Sequence, residues 1–140
     1  MEDVDDLCAM ISECNLVENP KEWFLDSGAT RHICSAKEAF ATYIPAEFEE
    51  DLFIGNTTTT RIAGTRKVML KMTSSKVLTL DNVLHVPTIR KNLVSVAVLV
   101  KNGFKCVLVS DKTVISKNEM FLGKGYLTEG LFKLNVMVVD

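Results

Sequence analysis

The sequence lacks both a long hydrophobic run and a cluster of basic residues. Its longest apolar stretch, Leu93 to Val100, is interrupted by Ser95 and is far shorter than the ~20 residues that cross a bilayer. The 16 lysines and arginines are outnumbered by 18 aspartates and glutamates, which gives a net charge of -2. A nucleic-acid binder usually carries a basic patch, and a signal peptide begins with basic residues, whereas this chain begins Met-Glu-Asp-Val-Asp-Asp. We therefore expect a cytoplasmic protein with no direct nucleic-acid partner and no membrane partner.

Cysteine is also scarce, and its spacing suits neither disulfides nor zinc. The four cysteines are Cys8, Cys14, Cys34 and Cys106. None belongs to a CxxC pair, and structural zinc sites usually take their ligands in such local pairs. We expect reduced thiols, no metal and no cofactor. A nucleophilic pair of Cys34 with His32 or His85 is conceivable, but packed side chains explain these three residues more simply.

The 140 residues are enough for one domain with a real core. Residues 1–20 are rich in carboxylates, end in Asn-Pro and are predicted to be a flexible linker. From Trp23 onward, strand-length apolar runs alternate with turn residues. One stretch breaks this pattern, because apolar residues recur at i, i+3, i+4 and i+7 from Leu93 and predict a helix over Asn92 to Asn102. The fold class is therefore predicted as all-β with one short helix.

The stretch with the most chemical information is Trp-Phe-Leu-Asp-Ser-Gly-Ala-Thr at positions 23–30. An aspartate that ends an apolar strand and precedes a small hydroxyl residue and a glycine is expected in a tight turn at the end of a sheet. A carboxylate held there is well placed for acid–base chemistry. The triplet Asp26-Ser27-Gly28 alone is a weak signal, because such a triplet occurs by chance in roughly one in twenty chains of this length. An ordinary turn is the simpler interpretation unless the surrounding sequence argues otherwise.

The surrounding sequence resembles the retropepsin-like aspartic proteases, and within them the protease region of copia-type LTR retrotransposon gag–pol polyproteins. The resemblance begins at the Asp26 loop and continues at positions 81–87 (Asp-Asn-Val-Leu-His-Val-Pro), 91–96 (Lys-Asn-Leu-Val-Ser-Val) and 130–134 (Gly-Leu-Phe-Lys-Leu). It covers about 110 of the 140 residues. Each motif is weak alone, but their shared order and spacing are hard to obtain by chance.

The resemblance implies an aspartic-type endopeptidase with an acid-protease β-barrel and half of the enzyme on each chain. Hydrolysis of a peptide bond by water takes two carboxylates, and this chain has one D-[ST]-G triplet. A second Asp26 would have to come from another copy across a two-fold axis, which makes the expected partner a homodimer mate. Two carboxylates about 3 Å apart share a proton, so activity is expected on the acidic side of neutrality or near it.

The same resemblance assigns roles residue by residue. Asp26 is the expected catalytic carboxylate, and Ser27 and Gly28 complete the active-site loop. An extended peptide substrate would lie between this loop and a flap, for which a hairpin around residues 52–62 with a Gly-Asn tip is the candidate. The expected substrate-binding residues are Ala29, Thr30, Gly55, Asn56 and Thr57.

The implied function is processing of a retrotransposon gag–pol polyprotein inside a virus-like particle in the cytoplasm. Residues 21–103 would form the protease core. Residues 104–140 would be a C-terminal β extension that joins the dimer interface or begins the next polyprotein region. The alternative is a catalytically silent retropepsin-fold module with a structural or dimerisation role, as in a domesticated element; the intact Asp26-Ser27-Gly28 triplet favours the enzyme.

Overall fold

The computed structural model describes residues 22–54 and 58–137. The predicted linker, Cys8, Cys14 and the predicted flap-tip residues Gly55, Asn56 and Thr57 lie outside this part of the chain. The strands are β1 (Trp23–Asp26), β2 (Ile33–Cys34), β3 (Phe40–Ile54), β4 (Thr58–Lys71), β5 (Val77–His85), β6 (Asn92–Ser95), β7 (Phe104–Val109), β8 (Lys112–Lys117), β9 (Met120–Thr128) and β10 (Leu131–Leu134). Within these described ranges, a short 3-10 turn spans Lys37–Ala39, and one α-helix, α1, spans Val96–Lys101. The predicted all-β fold with one short helix is confirmed.

The ten strands form one sheet in the order β3-β4-β5-β2-β6-β1-β10-β9-β8-β7. Both ends of the sheet are built from antiparallel hairpins of consecutive strands. The centre differs, because β6 lies between β1 and β2, parallel to β1 and antiparallel to β2. The chain from β1 to β2 therefore passes around the C-terminal end of β6, and this crossing places residues 27–32 beside the start of α1.

Buried apolar side chains cover both faces of β1. Trp23 and Leu25 belong to one hydrophobic cluster, and Phe24 belongs to a second cluster on the other face. Alternating residues of a strand point to opposite faces, so a strand buried on both sides has to be apolar throughout. The Trp-Phe-Leu run before Asp26 meets this requirement and fixes the end of β1 in the middle of the molecule.

The sheet curls so that the end of β4 meets the segment after β10. The Thr73 N–H donates to the Asn135 carbonyl at 2.9 Å, and the Met137 N–H donates to the Lys71 carbonyl at 2.7 Å. Val136 pairs with Met72, whose side chain is fully buried. Residues of β4 and β10 thus belong to one core cluster, and β10 lies directly beside β1.

The predicted hairpin around residues 52–62 has paired arms that are much longer than the sequence suggested. Strands β3 and β4 pair from Ile54 with Thr58 back to Phe40 with Val68. The register shifts between the pairs Pro45–Gly64 and Glu50–Ile62, so residues 46–49 bulge out of β3. The arms of the hairpin are confirmed, and its tip at 55–57 is outside the described residues.

The predicted helix over Asn92 to Asn102 is wrong in its first third. Residues 92–95 form β6, and the helix begins at Val96 with Ser95 as its cap. Leu93 and Val94 are fully buried in the two different clusters, as consecutive strand residues must be when both faces are covered. Pairing with β1 and β2 therefore overrides the helical spacing of the apolar residues. The end of the helix is close to the prediction, because Gly103 follows it with a φ of +91°.

Candidate active site

Asp26 is the last residue of β1 and lies at the centre of the sheet. Its neighbour across the parallel β1–β6 pair is Ser95. The Asp26 side chain is only 2% exposed. A carboxylate is rarely buried to this degree unless hydrogen bonds compensate the lost hydration, so its surroundings decide what it can do.

A backbone N–H of the turn that follows Asp26 is hydrogen-bonded to the Asp26 carboxylate. The Gly28 N–H donates to Asp26 Oδ1 at 2.7 Å, and the Ala29 N–H donates to the Asp26 carbonyl at 3.4 Å. Gly28 and Ala29 are buried, whereas Ser27 and Thr30 are exposed. The five sequence-predicted residues 26–30 thus form one tight loop that orients the carboxylate and presents Ser27 and Thr30 outward.

Ser95 connects this loop to the helix. The Ser95 hydroxyl donates to the Ala29 carbonyl at 2.7 Å and accepts from the Val98 N–H at 3.1 Å, which makes Ser95 the N-cap of α1. The side chain is fully buried. The helix therefore packs against the loop through Ser95, a residue to which the sequence analysis gave no role.

His32 closes the loop on the other side. Its Nδ1 accepts a hydrogen bond from the Ser95 N–H at 2.9 Å, and its carbonyl accepts from the Leu84 N–H at 2.9 Å. The residue is 2% exposed. Burial lowers the pKa of His32 from 6.5 to about 4; the charge of Arg31 lowers it further, and that of Asp81 opposes the shift. At neutral pH His32 is therefore uncharged, as its acceptor role requires.

Asn92 fixes the position of β6 at its other end. This residue is 1% exposed, its Nδ2 donates to the Glu22 carbonyl at 3.0 Å, and its Oδ1 accepts from the Ser35 N–H at 2.9 Å. The bonds join the segments before β1 and after β2 to the strand between them. The sequence analysis placed Asn92 at the start of a helix, whereas in the structure Asn92 links three strands.

The base of the β3–β4 hairpin is tied to β5 by an aromatic contact across β4. The Tyr43 hydroxyl and His85 Nδ1 are hydrogen-bonded at 2.8 Å. The Tyr43 ring crosses Gly64, where an added Cβ would lie 2.3 Å from the ring. Thr60, near the described end of the hairpin, is hydrogen-bonded through its hydroxyl to Thr88. These contacts anchor the arms of the hairpin to the same sheet that carries Asp26.

The described residues do not support thiol chemistry. The Cys34 thiol is fully buried and donates to the Ala36 carbonyl at 3.4 Å, and burial raises its pKa to about 11. His32 and His85 are bonded to Ser95 and Tyr43 instead. Cys34 is a core residue, as the simpler interpretation held, because a thiol with a raised pKa is a poor nucleophile.

Two further properties concern the described residues only. Within residues 22–54 and 58–137, no three His, Cys, Asp or Glu side chains come together as a metal site. No helix in the same part of the chain is long and apolar enough to cross a membrane.

The sequence is similar to known Pol polyproteins of plant transposons. Over 127 residues, 90% of this chain, it is 28% identical to the retrovirus-related Pol polyprotein from transposon TNT 1-94 of Nicotiana tabacum, of which it covers 10%. It is 42% identical over 78 residues, 56% of the chain, to the Pol polyprotein from transposon RE2 of Arabidopsis thaliana, and 40% identical over 74 residues, 53% of the chain, to that from transposon RE1. The chain spans 5% of each of these two.

Residues 23–104 match the family described as the Pol polyprotein beta-barrel domain. The match runs from the first residue of β1 to the first of β7 and covers more than half of the chain. The chain therefore belongs to the Pol polyprotein beta-barrel domain family and is homologous to Pol polyproteins of copia-type retrotransposons. No solved structure matches it.

Proposed function

We propose that this chain is an aspartic endopeptidase that processes a retrotransposon gag–pol polyprotein, and that it acts as a homodimer in which each copy contributes Asp26. The observation that carries the proposal is the setting of Asp26. The carboxylate is buried at the end of a central strand and accepts a hydrogen bond from the Gly28 N–H. Its loop is tied to the helix by the bond from the Ser95 hydroxyl to the Ala29 carbonyl, between residues 66 positions apart. Such a preorganised carboxylate is what acid–base hydrolysis needs.

In the proposed reaction, the two Asp26 side chains share one proton. The ionised carboxylate takes a proton from a water molecule as the water oxygen attacks the peptide carbonyl carbon. The protonated carboxyl donates its proton to the carbonyl oxygen, which gives a tetrahedral intermediate. The carboxyl that took the water proton then gives it to the leaving nitrogen as the C–N bond breaks, and a hydroxyl proton of the intermediate returns to the other carboxylate, so that amine and carboxylic acid are released and the dyad is restored. Ser27 is exposed on the loop, where the proposal has it bond to the partner's loop and hold the two carboxylates in register.

An extended peptide is the proposed substrate. It would lie between the loop and the hairpin of β3 and β4, with Ala29 and Thr30 on one side and Gly55, Asn56 and Thr57 on the other. The anchoring of Tyr43 to His85 at the base of the hairpin supports this arrangement, because a hairpin that covers a substrate needs a fixed base. The proposed setting is the cytoplasm, inside a virus-like particle.

The test is cleavage of a precursor that contains this chain with its flanking polyprotein sequence. The variant Asp26→Asn keeps the size of the side chain and removes its acid–base chemistry, so we expect cleavage to fall at least about 1,000-fold. Asp111→Asn is the matched control, since it makes the same change at an exposed turn and should cut at the wild-type rate. An uncut wild-type precursor whose chain still dimerises would establish the silent module instead.

Mixing separates a shared site from one built by a single chain. In an equal mixture of wild-type and Asp26→Asn chains, only about a quarter of randomly formed dimers keep both carboxylates. The activity of the mixture should therefore be about a quarter of that of the same total amount of wild-type chain, whereas independently active monomers would keep half of it. Sedimentation of the active enzyme should show a species twice the 15.6 kDa chain, and cleavage by a 15.6 kDa species alone would contradict the dimer.

A further inference from the structure

His32 is a buried titratable group that the proposed reaction does not use. It lies in the chain between the Asp26 loop and β2, and its Nδ1 accepts a hydrogen bond from the Ser95 N–H at 2.9 Å. Ser95 in turn is the register partner of Asp26 and donates its hydroxyl to the Ala29 carbonyl at 2.7 Å. His32 is thus hydrogen-bonded to Ser95, and Ser95 is hydrogen-bonded to the Asp26 loop.

We propose that His32 is a positioning residue that keeps the Asp26 loop in its active arrangement only while its ring is uncharged, so that its protonation sets the acid limit of activity. This inference rests on the proposed function. The step is a single proton transfer from solvent to Nδ1. A protonated Nδ1 is a donor, and it would face the Ser95 N–H, which is also a donor, so the bond between them is lost.

The surroundings of the ring allow this proton to arrive and make the change costly. His32 lines a cleft of about 320 Å³ together with Arg31, Asp81, Asn82 and Lys101. The charged groups that face it are Arg31 on its own loop, Asp81 on β5 and Lys101 on α1. Burial and the charge of Arg31 disfavour a further positive charge on the ring, and the Asp81 carboxylate opposes them.

The bond network then transmits the change to Asp26. With the Ser95 N–H displaced from the ring, the Ser95 side chain no longer has one fixed position from which to bond both Ala29 and Val98. The Asp26 carboxylate is bonded to the Gly28 N–H within that loop, so a shifted loop moves the reacting group. A displacement of about 1 Å at a catalytic group can cost 100-fold in rate.

The experiment compares the wild type with two variants of His32. His32→Asn places an acceptor oxygen where Nδ1 was and removes the titration, whereas His32→Leu removes the acceptor. The wild-type ring has a pKa of about 4, so we expect kcat for a peptide substrate to be about tenfold below its plateau at pH 3. We expect the acid limit of His32→Asn to lie at a lower pH than that of the wild type, where protonation of the second Asp26 carboxylate ends the reaction, and we expect His32→Leu to be slow at every pH. An acid limit that is the same in His32→Asn as in the wild type would overturn the proposal.

A second measurement does not depend on activity. The NMR resonance of the Ser95 backbone amide should shift with a midpoint near pH 4 in the wild type and stay constant in His32→Asn. A Ser95 amide that does not titrate between pH 3 and 7 would also overturn the proposal. If the amide titrates but no peptide is cleaved by any form, the bond is as described and the proposed endopeptidase function is what fails.

Discussion

Polar side chains are buried around the Asp26 loop, whereas apolar side chains are exposed along the meander of β7, β8 and β9. Asp26, His32, Asn92 and Ser95 are each at most 2% exposed. On β7, by contrast, Val107 is 39%, Leu108 62% and Val109 51% exposed. The meander is held by the backbone pairing of consecutive antiparallel strands. Around the loop, side-chain hydrogen bonds join segments that are more than 55 residues apart.

This difference indicates in which region the fold depends on the identity of individual side chains. A buried donor or acceptor that loses its partner costs the full desolvation of that group, about 1–3 kcal/mol, so a satisfied network favours one arrangement over all others. Backbone pairing in a hairpin makes no such demand on side chains. We therefore expect the loop region to respond strongly to small chemical changes and the meander to respond weakly.

The largest expected effect is the dependence of stability on pH through His32. The pKa of His32 is about 4 in the folded chain against 6.5 in the unfolded chain, so the unfolded state binds more protons between these values. The contribution of the neutral His32 ring to the free energy of unfolding is therefore complete above pH 6.5 and is lost as the pH falls to 4. The free energy of unfolding of the wild type, measured against His32→Asn, should drop by about 3 kcal/mol from pH 7 to pH 4. If the difference in unfolding free energy between the wild type and His32→Asn did not change with pH, the folded chain would not hold the ring neutral.

The next effect is that of Ser95→Ala. The change removes the cap of α1 and leaves the Ala29 carbonyl without its donor. We expect a loss of about 2 kcal/mol in the free energy of unfolding, measured with urea at pH 7. Ser116→Ala makes the same change on half-buried β8 and should cost much less. Equal losses at both positions would remove the distinction between the two regions.

A third change tests Thr113, a polar residue of the meander that is buried like those around the loop. Thr113 on β8 is fully buried, and its hydroxyl has no hydrogen-bond partner among the described residues. Thr113→Val keeps the shape of the side chain and removes the unsatisfied group, so we expect a gain of about 1 kcal/mol in thermal or urea unfolding. Thr128→Val, at an exposed position of β9, is the control and should change little. A loss on Thr113→Val would mean that the hydroxyl is satisfied.

The smallest effect is expected for Leu108→Ser. Leu108 lies on the edge strand β7 with 62% of its surface exposed. We expect a change of less than about 0.5 kcal/mol in unfolding free energy. A loss above 1 kcal/mol would show that this face is covered in solution and that the meander is not the tolerant region.

Local patterns in the sequence were enough for part of this result. The strand-length apolar runs predict the β class, and the Trp-Phe-Leu run before Asp26 predicts a buried strand that ends at a tight turn. Both depend on residues that are neighbours in the chain. The same reasoning placed Asn92 at a helix start, because Leu93 fits a helix face and a buried strand equally well by spacing alone.

The sequence by itself determined the all-β class, the loop of residues 26–30 and its single carboxylate, since each follows from the properties of adjacent residues. Only the tertiary structure decided that residues 92–95 are a strand between β1 and β2, because that choice depends on what lies on both of its sides. The same pairing set Ser95 opposite Asp26 and brought the Ser95 N–H to His32, 63 residues away. Periodicity within a segment carries no information about which distant donor meets which acceptor, and that meeting is what fixes the Asp26 loop.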